Sequence, residues 1–196
     1  DALARADATR LAILGTGEQA WQHALAIRHI RPLDRIILWG REMEKAAGLA
    51  GRIAETLALP VEVARDPAEA VRDADIVCTT TAAAEPILTG DDIAPGTHLN
   101  LVGSSRAGPA EIDGALVRRA RFFPDHREGV LAQGAEFLRA KQAGLVADDH
   151  VLPEIGAVYA GAVQGRRDAR EITIYKSLGS IVQDLACAAY LYRKLA

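Results

Sequence analysis

Cysteine is scarce in this 196-residue sequence: Cys78 and Cys187 lie far apart, each inside an apolar run. So few cysteines leave no disulfide scaffold to read. Both are expected to be buried free thiols, as interior cysteines commonly are, in a cytoplasmic setting. No apolar run approaches the roughly 20 residues that cross a bilayer, and the opening residues, DALARADATR, lack the hydrophobic stretch of a signal peptide. No membrane partner is expected. The five histidines (His23, His29, His98, His126, His150) show no metal-ligand spacing, so no metal is expected either. There is no excess of basic charge: 23 Lys and Arg against 26 Asp and Glu give a net charge of −3. That argues against nucleic acid, whose phosphates need a concentrated basic surface.

What is present is the composition of an ordinary soluble globular protein, 49% hydrophobic and 25% charged. The length suits one domain with a true core, or one domain and a fragment. The sequence opens on an alanine-rich stretch, Ala2 to Ala6, that reads as the end of an incoming helix over residues 1–8. A buried strand follows at once, and the chain is expected to be a piece of a longer protein.

From there strands and helices alternate. Leu11 to Leu14 is a short apolar run suited to a central parallel strand. Glu18 to Ile30 has helical spacing and is stopped by Pro32. Arg35 to Trp39 reads as a second strand, and Met43 to Leu57 as an amphipathic helix. A brief strand at Val61 to Val63 precedes Asp66-Pro67-Ala68-Glu69, which combines an acidic N-cap, proline at N1 and glutamate at N3. Further strands are expected at Asp75 to Thr80, His98 to Gly103 and Arg121 to Phe123. After Asp125 come a helix to about Ala143, a segment from Pro153 to Tyr159, a loop at 161–170 expected to be mobile, a last strand at Glu171 to Tyr175, and a final helix from Leu178 to Leu195. This alternation predicts an α/β fold, a Rossmann-type doubly wound parallel sheet with flanking helices. Residues 9–177 are read as the dinucleotide-binding domain.

The chemistry is carried by Gly15-Thr16-Gly17-Glu18-Gln19-Ala20, a G-x-G-x-x-A run right after a strand and opening a helix. Gly15 permits the tight turn, Gly17 lets a pyrophosphate approach bare backbone, and Ala20 lets helix and strand pack closely. The helix N-terminus offers free N–H groups and partial positive charge. A glycine turn without a ligand, or a methyltransferase loop, remains the alternative.

About 20 residues past the loop, where NAD enzymes carry an acid for the ribose, stands Gly40, followed by Arg41 and Glu42. A guanidinium there suits the 2′-phosphate of NADP, so NADP is preferred over NAD. A solvated surface arginine, with Glu42 or Glu44 on the ribose, is the competing reading. Thr79-Thr80-Thr81 and Val102-Gly103-Ser104-Ser105 end strands at the carboxyl edge of the sheet, where ligands of open α/β sheets bind. Thr80, Thr81, Val102, Gly103 and Ser104 are expected near the nicotinamide ribose and ring, with Ser177 and Gly179 lending backbone. Lys176 is read as a surface residue with a snorkelling stem, the alternative being a Schiff-base or acid/base group.

Several stretches, in this order, carry a resemblance: the GTGEQA loop, Ala84 to Leu88 (AEPIL), Pro95 to Arg106 (PGTHLNLVGSSR), Asp125 to Glu128, and Tyr175 to Gly179 (YKSLG). Together they resemble the ornithine cyclodeaminase/mu-crystallin family over nearly the whole chain. The resemblance implies an NAD(P)-dependent enzyme acting on carbon–nitrogen bonds of small amino or imino acids. It also implies a homodimer made through a separate substrate domain, mostly upstream, to which the last helix (178–196) returns. The lysine and arginine that hold the substrate carboxylate in such enzymes would lie upstream too.

Where the cyclodeaminase branch has an acid/base aspartate after the strand-five V-G, this sequence has Ser105 and then Arg106. That, with Trp39-Gly40-Arg41, resembles the mu-crystallin/ketimine reductase branch, although Glu42 stands where that branch has threonine or a similar residue. Ser105 is the candidate catalytic residue, as a hydrogen-bond partner of the imine or a water. The expected activity is hydride transfer to or from an imine or amino acid C–N bond. An NAD-retaining cyclodeaminase and a non-catalytic NADP-binding protein are the alternatives.

Overall fold

The computed structural model describes residues 1–195. Strand β1 (Arg10–Leu14) leads into helix α1 (Glu18–Ile30), β2 (Arg35–Trp39) into α2 (Met43–Leu57), and β3 (Val61–Val63) into α3 (Pro67–Val71). Then come β4 (Ile76–Thr79), β5 (His98–Leu101), α4 (Gly114–Arg119), β6 (Ala120–Pro124), α5 (Arg127–Gln133), α6 (Ala135–Gln142), α7 (Ile155–Tyr159), β7 (Ile172–Lys176) and α8 (Ile181–Leu195). The strands form one sheet in the order β3-β2-β1-β4-β5-β7-β6, and every pair is parallel. The fold is a Rossmann-like α/β sheet. The chain winds outward from β1 in one direction, then returns to its other side at β4. That reversal opens a crevice at the carboxyl ends of β1 and β4, the usual ligand position in such sheets.

Side-chain alternation sorts β1 between two cores. Leu11 and Ile13 face the layer of α1 and α2, where they pack with Ala20, Ala24, Ile36, Leu38 and Ile53. Ala12 and Leu14 face the opposite layer with Val77, Leu99, Leu101, Phe122 and Phe137. A strand buried on both faces must be apolar throughout, which is why Leu11 to Leu14 reads as an unbroken run. Each such fully buried Leu or Ile contributes about 1.5–3 kcal/mol.

Several local expectations are corrected. Residues 1–8 are not helical. Leu3 is buried, its carbonyl accepts from Thr173 Oγ1 (3.0 Å) and Arg166 Nε (2.9 Å), and Arg5 reaches Asp75. So short a segment cannot nucleate a helix alone, and tertiary bonds take its backbone. The loop at 161–170, read as mobile, is held by Arg166, which also bonds Thr173 Oγ1 at 3.0 Å. The helix expected to reach Ala143 breaks at Gly134, where a Cβ would stand 2.8 Å from Val130 O. The final helix starts at Ile181 rather than Leu178 because Asp125 Oδ2 takes the N–H groups of Leu178 (2.7 Å) and Gly179 (2.9 Å) in the turn before it. Of the two cysteines, Cys78 is buried but Cys187 is exposed, because α8 buries none of its residues.

At the amino edge of the sheet Asp75 gathers the start of β1. It accepts from Thr9 N (3.1 Å), Arg10 N (3.0 Å) and the guanidinium of Arg5 (2.6 Å), with Arg10 Nη2 at 3.3 Å. Burial pushes this carboxyl up, but the hydrogen bonds from Arg10, Thr9 and Arg5 outweigh it and lower the pKa from 3.8 to about 2. A depressed folded-state value means the stabilisation is fully present above about pH 4 and is lost as pH falls towards about 2. Asp75→Asn is expected to lower stability at neutral pH by roughly 2 kcal/mol, the scale of a charged hydrogen bond. It should also flatten the acid limb of a melting-temperature profile between those pH values. An unchanged acid limb would remove this role from Asp75.

Candidate functional site

The carboxyl ends of β1 and β4 meet very closely. Gly15, with φ +133°, donates its N–H to Trp39 O (2.8 Å), while Thr80 donates N–H (2.8 Å) and Oγ1 (3.1 Å) to Leu14 O. A Cβ on Gly15 would run into Thr80 Oγ1 and lie 2.8 Å from Thr80 O, so both dihedral and space demand glycine. Gly17 is the N-cap of α1, and no side chain caps that end. A Cβ built on Gly17 has nothing within 4 Å. The helix therefore presents unbonded N–H groups and the positive end of its dipole to open space. Ala20 is fully buried beneath the helix. Glu18 turns along the helix instead, where Gln22 Nε2 donates to its Oε1 (2.6 Å); Gln19 is exposed, and its backbone carbonyl lies 2.7 Å from His23 Nδ1.

A cleft of about 200 Å³ lies in front of this end. It brings together Gly15, Thr16, Gly17, Gly40, Arg41, Glu42, Thr80 and Thr81, with Trp39 and Ile87 as apolar walls. A Cβ on Gly40 would run into the methyl of Thr16. Arg41 is exposed and makes no hydrogen bond or ion pair among the described residues. Glu42 is engaged with Lys45 at 2.7 Å. No group of three or more His, Cys, Asp or Glu is placed to hold a metal among the described residues.

The end of β5 lies behind Thr81 rather than lining the cleft. Val102 N and Gly103 N donate to Thr79 O (3.0 and 3.1 Å). Ser104 is buried and donates Oγ to Pro109 O (2.5 Å), whereas Ser105 is exposed, with no hydrogen bond among the described residues. Ser177 stands on the far side of β5, its N–H on Leu101 O (3.0 Å) and its Oγ 3.4 Å from Asp125 Oδ2.

Lys176 is the largest departure from expectation. Read as a surface side chain, it is fully buried, 2.5 Å from Ser104 O and 3.0 Å from Glu136 Oε2. Glu111 and Glu136, which went unnoticed in the sequence, are buried with it. Glu111 accepts from Thr79 Oγ1 (2.6 Å), Thr81 N and Oγ1 (2.7 Å each) and Gly103 N (2.9 Å). The available signals were faint: Glu111 sits between the apolar Ala110 and Ile112, and Glu136 shares a helix face with Ala140.

The two loop glycines are expected to fail differently. Gly15→Ala should cost roughly 1–3 kcal/mol of stability through backbone strain, plus the collision with Thr80. Gly17→Val should leave the melting temperature within a few degrees but abolish nicotinamide-nucleotide binding in a fluorescence titration. Retained binding by Gly17→Val would mean that no ligand approaches this backbone.

Comparison with known proteins gives the same frame. A profile of the ornithine cyclodeaminase/mu-crystallin family matches residues 2–196. A Δ1-pyrroline-2-carboxylate reductase of Bacillus cereus is 37% identical over 193 residues, 98% of this chain and 59% of the relative. Ketimine reductase mu-crystallin of Mus musculus is 34% identical over 182 residues, 93% of this chain and 54% of the relative. The Thermococcus litoralis Δ1-pyrroline-2-carboxylate reductase, solved in complex with NADH and L-proline, superposes with a TM-score of 0.95 at 30% identity, over 98% of this chain and 60% of that one. The chain thus spans under two thirds of the length of the relatives it matches. With motif order, fold and sequence identity in agreement over its whole length, this chain belongs to the ornithine cyclodeaminase/mu-crystallin family.

Proposed function

We propose that this chain is the dinucleotide-binding part of an NAD(P)H-dependent imine reductase acting on small imino acids. The observation that carries the reading is the uncapped N-terminus of α1, with Gly17 facing open space, over a cleft at the strand-order reversal. A pyrophosphate needs bare backbone, free N–H donors and a helix dipole, and this corner supplies all three. The cofactor supplies a hydride for an imine carbon, and the protein supplies binding and orientation. The Gly15 to Ala20 turn would seat the pyrophosphate over Gly15 to Gly17, Gly40 to Glu42 the adenosine ribose, and Thr80 and Thr81 the nicotinamide end, with the Val102 to Ser104 turn and Ser177 behind them.

Two features favour reduction over cyclodeamination. The relatives named above are imine reductases, and the position after Gly103-Ser104 offers only the exposed hydroxyl of Ser105. A hydroxyl can hydrogen-bond an imine or a water. The repeated proton transfers of cyclodeamination call for a group that titrates nearer neutrality. The reading is tested by supplying NADPH and Δ1-pyrroline-2-carboxylate to the intact protein. Loss of nicotinamide absorbance with formation of proline is expected. No turnover with cyclic or open imino acids, despite tight cofactor binding, would leave a non-catalytic binding protein.

Within this proposal NADP is the preferred cofactor. Arg41 lines the cleft and has no partner among the described residues, Glu42 pairs with Lys45, and position 40 is a glycine with no acid to offer the ribose. The exposed apolar side chains of α8, among them Ile181, Leu185 and Tyr192, support α8 as the helix that returns to a substrate and dimerisation domain, residues 9–177 being the dinucleotide domain. Arg41→Ala is expected to weaken NADPH by roughly 1.5–3 kcal/mol, the range for a hydrogen bond to a charged group, and to leave NADH nearly unchanged. Equal weakening of both in parallel titrations would overturn the preference.

A further inference from the structure

Three buried charged groups lie beside the cleft without touching it, and binding of a pyrophosphate gives them no task. The Glu111 carboxylate is saturated: Oε1 accepts from Thr81 N and Thr81 Oγ1, both at 2.7 Å, and Oε2 from Thr79 Oγ1 at 2.6 Å and Gly103 N at 2.9 Å. Four donors fill the four lone-pair sites of an ionised carboxylate. Behind it, Glu111 N donates to Glu136 Oε1 (3.3 Å), Glu136 Oε2 stands 3.0 Å from Lys176 Nζ, and Lys176 donates to Ser104 O (2.5 Å). All three side chains are buried. The chain of contacts runs from the end of β4, through the end of β5 and its following loop, to α6 and the end of β7. Thr81 is its one member that lines the cleft.

Stability alone is a weak reason for this arrangement. Burying charges carries a desolvation cost that well-packed apolar side chains would avoid, and such replacements are often neutral or stabilising. What directional bonds give, and non-directional apolar packing does not, is fixed geometry. Glu111 fixes the Thr81 backbone relative to Gly103. The space that Gly103 leaves is filled by Thr81 O and Glu111 Oε1, so the three groups form one closed contact.

We propose that Glu111 is a positioning residue for the nicotinamide end of the cleft: it locks Thr81 to Gly103 so that ring and ribose meet fixed backbone, with the Glu136–Lys176 pair holding the lock from behind. This rests on the dinucleotide reading of the cleft. The test separates the two ends of the cofactor. ADP-ribose and its 2′-phosphate report the pyrophosphate and adenosine end; NADH and NADPH add the nicotinamide. In Glu111→Gln one carboxylate oxygen becomes an NH2 group, so either Thr81 N loses its acceptor or Gly103 N is left with Thr79 O alone. Titrations of the intact protein should show ADP-ribose affinity within about twofold of the parent, and NAD(P)H affinity reduced by about tenfold or more. Thr79→Val removes one donor from the same carboxylate, away from the cleft. It should give the same selective loss at about two- to fivefold.

A purely structural role would lower both classes of ligand together or neither, and either result in the two variants overturns the proposal. If Glu111→Gln fails to fold by circular dichroism, the selectivity of Thr79→Val decides alone. A parent protein that binds neither nucleotide would sink the cofactor reading and this inference with it. A parent that binds NADPH beside insensitive variants would sink only the role of Glu111.

Discussion

The close approach of Gly15 to Thr80 governs the geometry of this sheet edge. Two parallel neighbours, β1 and β4, converge until one backbone lies against the other's hydroxyl and carbonyl, and no Cβ fits between them. The turn out of β1 is therefore tight, and it sets α1 on the sheet with its first N–H groups aimed over the crevice. Ala20, fully buried, lets the helix sit low enough for that aim. Had β1 been followed by any residue with a side chain, the helix would start further from β4 and the two walls of the cleft would part. An anion site made from a helix terminus has no side chain to adjust its reach, so its accuracy comes from this backbone contact.

Both edges of the sheet use one device, a buried carboxylate that gathers backbone N–H groups where strand pairing runs out. Asp75 does so at the amino edge for Thr9 and Arg10, and Glu111 at the carboxyl edge for Thr81 and Gly103. A parallel strand leaves such groups wherever it runs past its neighbour, and a buried donor left unbonded costs as much as a lost hydrogen bond. The countercharges differ. Asp75 has two arginines, Arg5 and Arg10, partly open to solvent. Among the described residues Glu111 has no cation in contact, and buried Lys176 is paired with Glu136 instead.

Much of this was legible in the sequence because it is local. Unbroken apolar runs marked strands buried on both faces, and G-x-G-x-x-A after a strand marked the turn that Gly15 and Gly17 make. What was not legible depends on partners distant along the chain. Nothing in Tyr175-Lys176-Ser177 tells that the lysine turns inward, since its acceptor, Ser104 O, lies 72 residues away. The insertion of β7 between β5 and β6 was hidden for the same reason. The alanines at 2–6 favoured a helix by propensity, but propensity yields where tertiary bonds claim the backbone, as they do at Leu3. Gly134, by contrast, was a readable break that periodicity alone passed over.

The placement of Lys176 shows why a strand-end lysine need not be a reactive one. A lysine becomes a nucleophile when desolvation is left uncompensated and its neutral form is favoured. Here Nζ is fully buried, with a carboxylate oxygen at 3.0 Å and a carbonyl oxygen at 2.5 Å. Both contacts fix the position of Nζ. Buried between these two partners, Lys176 is a strut. It ties β7 to the Ser104 turn and, through Glu136, to the loop that carries Glu111.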